Sequence, residues 1–304
     1  MEQKLIFCRV SPSSSTQLME EAVIDQQIVE VDISDRGREI AASYLIGFVG
    51  FRDDPQGKRT VSLGSGTLVN MAGVRGVLTA AHVALALRNE ARVGIVTFGP
   101  GRFQTLSFNP NYDDGIWMVS NEENGPSAID IAFIQLPQDT ELRLSVNQAF
   151  WDMDERVRLV YESGKFLDDP VYIVMGVIGE MSEHDRSNER YVDSSHTAMM
   201  HVGSLDLRTE DSDLIVVFQP DFADGISVPT SYGGTSGGPL WVMSQQALHK
   251  EAGAAWSKLD FHILGVAFYE ELGLGGQLQI LCQGPRVVDW LYERIAEEVG
   301  YKVP

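Results

Sequence analysis

Cysteine is nearly absent from this chain: Cys8 and Cys282, one near each end of the 304 residues, are the only two. A secreted β protein usually relies on a disulfide framework, and two cysteines make a poor one. Both therefore read as free thiols, with Cys282 buried among apolar neighbours. Long apolar runs are missing too. No stretch approaches the roughly 20 residues that a membrane-spanning helix needs, and the apolar run at Leu5-Ile6-Phe7 is too short for a signal peptide. The expected location is the cytoplasm. Positive charge is scarce: 23 Lys and Arg stand against 43 Asp and Glu, a formal charge of −20. Nucleic acids and anionic membranes are both held by clustered Lys and Arg, so neither partner is expected. The acidic surface would attract a basic substrate, but keeping the protein soluble is the plainer use of it.

Metal and phosphate signals are weak. His196 and His201 stand five apart, which suits neither a helix face nor alternate strand positions. Gly273-Leu274-Gly275-Gly276 reads as a hairpin turn before it reads as a phosphate loop. No metal and no cofactor are expected.

What is present is a succession of short apolar runs separated by turn signals. Such runs stand at 45–51, 60–63, 67–69 and 74–79, then at 92–97 and 129–135, with a short helical segment over 80–88. A second series follows at 171–179, 197–202, 213–219, 240–243, 261–268 and 277–281. Runs of this length and spacing indicate an all-β fold. The polar stretch 180–195 reads as an exposed loop. Val287, Val288, Leu291, Ile295 and Val299 make an apolar stripe at helical spacing. The organisation follows: an extension over 1–38 that adds a strand or wraps the body, a β-rich half over 39–137, a connection with some helix over 138–168, a second β-rich half over 169–285, and a terminal helix over 286–304.

The strongest chemical signal is Gly233-Gly234-Thr235-Ser236-Gly237-Gly238-Pro239-Leu240. Glycines around a hydroxyl let a ligand approach the main chain and let several amides aim at one point. A plain hairpin turn is the bland alternative. A serine hydroxyl is a weak nucleophile and needs a base. Of the six histidines, His82 has an informative setting, at the end of the apolar strand Val77-Leu78-Thr79-Ala80-Ala81. The base in turn needs a carboxylate on its second nitrogen. Asp130 stands inside the apolar run Ile129–Leu136, where burial without a partner is expensive.

These segments resemble the signature blocks of the trypsin-like (chymotrypsin-fold) serine peptidases. Thr79-Ala80-Ala81-His82 resembles the histidine block, Asp130-Ile131-Ala132-Phe133-Ile134 the aspartate block, and Gly234-Thr235-Ser236-Gly237-Gly238-Pro239 the serine block. They occur in the family's order, and Gly64-Ser65-Gly66-Thr67 also resembles it. The resemblance covers roughly residues 40–300. It implies two antiparallel six-stranded β-barrels with a C-terminal helix. The first barrel carries His82 and Asp130, and the second carries Ser236. The implied activity is that of a serine endopeptidase acting on proteins or peptides through an acyl-enzyme. In the implied roles Ser236 attacks, His82 moves the proton and Asp130 orients the imidazole. The amides of Gly234 and Ser236 form the oxyanion hole. The base of the substrate pocket would lie near Thr230, with its wall around Phe268, Tyr269 and Glu270. Phe268 and Tyr269 read equally well as ordinary core or rim aromatics.

Some features depart from the family. Members activated by cleavage carry Asp before the serine; here Thr235 stands there, and no Ile-Val-Gly-Gly block precedes the first half. The oxyanion loop must be ordered otherwise, constitutively or by a regulatory protein partner, and the pattern is closer to bacterial intracellular members. No acidic residue marks the pocket base, so a preference for Arg or Lys is not expected. Two other readings stand beside this one: a non-catalytic binding module on the same fold, and an α/β-hydrolase esterase with a nucleophile elbow at Ser236. The elbow should lead into a helix, whereas Pro239-Leu240-Trp241-Val242 reads as a strand.

Overall fold

The structure, a computed structural model, describes residues 6–7, 40–54, 57–98, 105–108, 117–119, 129–156, 170–185, 193–206, 215–220, 231–244, 261–273 and 276–302. After the short strand β1 (Ile6–Phe7) come β2 (Leu45–Asp54), β3 (Gly57–Met71), β4 (Val74–Thr79) and the helix α1 (Ala81–Arg88). The first half continues with β5 (Val93–Thr97), β6 (Thr105–Phe108), β7 (Trp117–Val119) and β8 (Ala132–Gln135). Helix α2 (Gln138–Leu144) and β9 (Trp151–Asp152) lead to β10 (Pro170–Asp185), β11 (Asp193–Asp206) and β12 (Ile215–Pro220). Then follow β13 (Pro239–Ser244), β14 (Phe261–Leu272), β15 (Leu278–Gln283) and the terminal helix α3 (Pro285–Glu298).

The second half closes on itself. Strand β10 pairs with β11, β11 with β12, β12 with β15, β15 with β14, β14 with β13, and β13 returns to β10, every pair antiparallel. This six-stranded barrel has no free edge along its ring, the arrangement that removes unpaired backbone most completely. Strand β1 adds in parallel to β11, Ile6 opposite Met199. The first half is a second sheet in the order β6-β5-β2-β3-β4-β8-β7, with β9 added to β3. Its end strands β6 and β7 do not pair with each other among the described residues.

Two expectations change in detail. The runs at 60–63 and 67–69 belong to one strand, β3, which serves β2 along most of its length and β4 at its end. Gly64, with φ of 144°, bends it between them, where the β2 register also slips. The stretch 180–195 is not all loop: Glu183, His184 and Asp185 pair with Ser195, Ser194 and Asp193. Backbone ladders need no apolar side chains, so a polar hairpin arm can extend a strand beyond its apolar run. The turn at Met71-Ala72-Gly73 is as expected. Ala72 and Gly73 both have positive φ, 50° and 79°, as a two-residue hairpin requires, and Asp154 accepts the Ala72 N–H at 2.8 Å.

The core joins the two sheets and the terminal helix. Trp151 packs edge-on against Trp241 at 5.5 Å and tilted against Phe261 at 4.6 Å between ring centroids, with Tyr44 beside them. The fully buried Arg156 donates through Nε to the Ile263 carbonyl at 2.7 Å and pairs with Asp289 on α3. The connection is thus fastened to β14 and to the helix. On α3, Val287, Val288, Leu291 and Ile295 are buried as the stripe predicts, with Tyr292 and Ala296 added. Val299, just past the helix end, is exposed. Cys282 is a buried free thiol inside the barrel; Cys8 lies outside the described residues. No helix among the described residues is long and apolar enough to cross a membrane.

Candidate active site

His82 is the second residue of α1 and its ring is about half exposed. Thr79 and Ala80 before it are fully buried, so the small residues let the strand end turn tightly into the helix. Asp130 sits at the entry to β8 rather than within it. Both its oxygens are engaged by His82: Oδ1 accepts the backbone N–H at 3.0 Å, and Oδ2 stands 2.6 Å from Nδ1. A carboxylate accepts only, so Nδ1 carries the proton. In the neutral ring Nε2 is then left as the acceptor, which is what a general base requires.

Ser236 lies in the turn at 231–238, and three elements meet around it. Gly237 has φ of 89°. A Cβ there would stand 2.1 Å from both the Ser65 carbonyl and Thr79 Oγ1, so only glycine lets the turn lie on the strand that leads to His82. A Cβ on Gly64 would stand 2.6 Å from Val83 Cγ2 and 3.1 Å from the Ser236 carbonyl oxygen. The residue after His82 and the backbone of Ser236 thus meet over one glycine. The third element is β14: Gly237 N–H donates to Ala267 O at 2.6 Å, and Ala267 N–H to Gly238 O at 2.9 Å.

The backbone donors of the turn divide into two sets. Tyr232 N–H goes to a Glu270 carboxylate oxygen, and Gly233 N–H to Ser231 Oγ at 2.9 Å. Those of Thr235, Gly237 and Gly238 go to the carbonyls of Tyr232, Ala267 and Thr235. The N–H groups of Gly234 and Ser236 make no hydrogen bond among the described residues. Within 232–238 these two donors are unpaired while the other five amides are satisfied, which leaves them available to an oxygen acceptor. The Ser236 hydroxyl donates to Phe268 O at 3.3 Å, and no hydrogen bond joins it to His82.

The expected pocket residues separate. Phe268 is buried in the core, while Tyr269 is half exposed. Glu270 turns back to the serine turn, where Ser231 Oγ donates to it at 2.8 Å. Thr230 lies outside the described residues. Of the other histidines, His201 and His262 are buried, and burial pushes both down to about 4, so they are neutral structural groups. His249 lies outside the described residues. Among those residues no cluster of three or more His, Cys, Asp or Glu stands ready for a metal ion. The turn leads into the strand β13, not into a helix, and β13 pairs antiparallel with both β10 and β14.

Ser65 is the residue whose role sequence reasoning missed. It lies fully buried in β3 and makes four hydrogen bonds around the serine turn. The available signal was a hydroxyl flanked on both sides by glycine, Gly64 and Gly66.

No protein-family model matches the chain, and no curated protein matches it. Among solved structures there is one from work on aromatic interactions that drive coupled folding and binding of the intrinsically disordered Sesbania mosaic virus VPg protein. It overlaps 81% of this chain and 87% of its own at 14% identity, with a TM-score of 0.39.

Proposed function

We propose that the chain is a serine endopeptidase of the trypsin-like class, with His82, Asp130 and Ser236 as its triad. The observation that carries the reading is the pair of unpaired amides, Gly234 and Ser236, on either side of Thr235 in a turn that also holds the Ser236 hydroxyl. A carbonyl oxygen seated between them would gain both bonds as it becomes an oxyanion. In that mechanism Ser236 Oγ attacks the carbonyl carbon while its proton passes to His82 Nε2. The tetrahedral intermediate collapses, His82 returns the proton to the leaving amine, and water repeats the cycle on the acyl-enzyme. Asp130 holds the ring tautomer throughout and stabilises the imidazolium.

The finer fold belongs to the same proposal: the first sheet is the wall of a second barrel of the chymotrypsin type, and the site lies where the two halves meet. A cytoplasmic, bacterial enzyme acting on protein or peptide substrates is the accompanying reading. A non-catalytic binding module is favoured by one observation, the Ser236 hydroxyl resting on Phe268 O instead of on His82. Catalytic hydrogen bonds commonly tighten only when substrate binds. A fluorophosphonate probe tests the choice. The expected result is stoichiometric labelling that maps to Ser236 and disappears in Ser236→Ala. A protein that stays unlabelled even after proteolytic trimming and addition of cell extract would establish the binding module instead.

A further inference from the structure

A turn that presents two bare amides must be held against reversal, since flipped peptides would bury those donors and expose carbonyls. Thr235 supplies no charge for this purpose. We infer that Ser65 and Glu270 are positioning residues that brace the serine turn, one from β3 and one from β14, so that its donors face outward without cleavage or a protein partner. This rests on the peptidase reading above.

A trans peptide is planar, with its C=O and N–H pointing in opposite directions, so anchoring the carbonyl aims the amide. Gly179 N–H holds Gly233 O at 2.8 Å, and the Gly234 N–H therefore points away from β10. Gly238 N–H holds Thr235 O at 2.9 Å, which aims the Ser236 N–H in the same manner. These two planes stay in place only if their neighbours do, and the neighbours are tied by side chains. Ser65 Oγ donates to Gly234 O at 2.7 Å while accepting Val177 N–H at 2.8 Å. Its own N–H donates to Ser236 O at 2.7 Å, and its carbonyl accepts Thr79 Oγ1 at 2.7 Å. One buried residue thus links the serine turn, the barrel strand β10 and the strand that delivers His82. From β14, the Glu270 carboxylate takes Tyr232 N–H on one oxygen and the Ser231 hydroxyl on the other. Ser231 Oγ in turn accepts Gly233 N–H. The peptide planes from Ser231–Tyr232 through Gly237–Gly238 are thus each anchored before a substrate arrives.

The test is the kinetics of fluorophosphonate labelling of the full chain, with kinact and KI measured separately for wild type, Ser65→Ala, Glu270→Leu and Glu270→Gln. Wild type is expected to label without a lag and without added extract. Removing an oxyanion donor outright costs ~100- to 1,000-fold; loosening one is expected to lower kinact about 10- to 100-fold in Ser65→Ala, with KI little changed. Glu270→Leu should fall similarly, and Glu270→Gln, which keeps one acceptor, should recover part of the loss. A retained downfield proton resonance from the His82 Nδ1 bond to Asp130 would show that the loss does not come from a disordered triad. If Ser65→Ala fails to fold, the variants of the part-buried Glu270 decide. Wild-type kinact in the folded variants, or a wild type that labels only after trimming or addition of extract, overturns the inference and leaves the peptidase reading intact. A wild type that never labels at Ser236 overturns that reading, and the inference with it.

Discussion

Asp130→Asn keeps the size and shape of the side chain and exchanges one acceptor for a donor. The two contacts of Asp130 make the outcome calculable. Its Oδ1 accepts the His82 backbone N–H at 3.0 Å, and its Oδ2 faces Nδ1 at 2.6 Å. Asparagine has one carbonyl oxygen and one NH2 group. The backbone N–H cannot accept, so the asparagine oxygen must stay with it, and the NH2 group is then turned toward Nδ1. A donor facing Nδ1 forces that nitrogen to become the acceptor and moves the ring proton to Nε2. The imidazole then stands in place as the wrong tautomer and cannot take the proton of Ser236.

Because both hydrogen bonds survive in altered form, stability should change by only ~1 kcal/mol. The rate should not survive. Loss of the tautomer in a triad of this kind costs ~10⁴-fold at neutral pH, or about 5 kcal/mol of activation free energy at 1.36 kcal/mol per tenfold. Fluorophosphonate labelling of Ser236, followed by intact mass, measures the rate; a urea titration of the same sample measures stability. A variant that unfolds early would mean that Asp130 is a structural anchor. A stable variant that labels at the wild-type rate would refute the reasoning, because the pair would then have no part in activating Ser236.

Three further outcomes follow from buried groups. Trp241 is fully buried and touches Tyr44, Trp151 and Phe261; Trp241→Ala should lower unfolding free energy by ~3–5 kcal/mol, read as a fall in urea midpoint with the m-value unchanged. His201 and His262 are held neutral, with pKa values lowered from 6.5 to about 4, by burial first and for His262 also by Arg156. Above pH 6.5 their contribution is fully present; as pH falls from there to about 4 the unfolded chain takes up protons the folded one refuses, so stability drops by ~3 kcal/mol per histidine. His201→Gln should flatten part of that fall in urea midpoint, and an unchanged pH profile would contradict the burial argument. Burial raises the Cys282 thiol far above its ordinary range, so in a Cys8→Ser background Ellman's reagent should titrate no thiol until denaturant is added, then one.

The fold was legible where local pattern and tertiary role agree. The helix at 80–88, the turn at 71–73 and the stripe on α3 follow from side-chain periodicity and turn chemistry, and each appears close to its expected bounds. What was not legible depends on partners distant in sequence. Nothing in 60–69 says that two apolar runs form one bent strand, because Gly64 takes its φ of 144° where Val83 and Ser236 approach. Nothing in 105–108 or 117–119 marks a strand by its own pattern; those segments pair because β5 and β8 offer edges. The polar arms of β10 and β11 pair in the backbone ladder, which no hydrophobic pattern records.

The same division runs through the site. His82, Asp130 and Ser236 stood out because each is a costly residue in its local setting: a carboxylate in an apolar run, an imidazole at a buried strand end, a hydroxyl among glycines. Ser65 did not stand out, because a buried serine is cheap once its hydroxyl is satisfied, and its partners Gly234 and Val177 lie more than a hundred residues away. Glu270 was visible only as a pocket residue, yet its carboxylate is spent on Ser231 and the Tyr232 amide. A side chain engaged in this way is less free to meet a substrate. The carboxylate that composition would offer to a basic substrate residue is therefore better understood as part of the frame that aims Gly234 and Ser236.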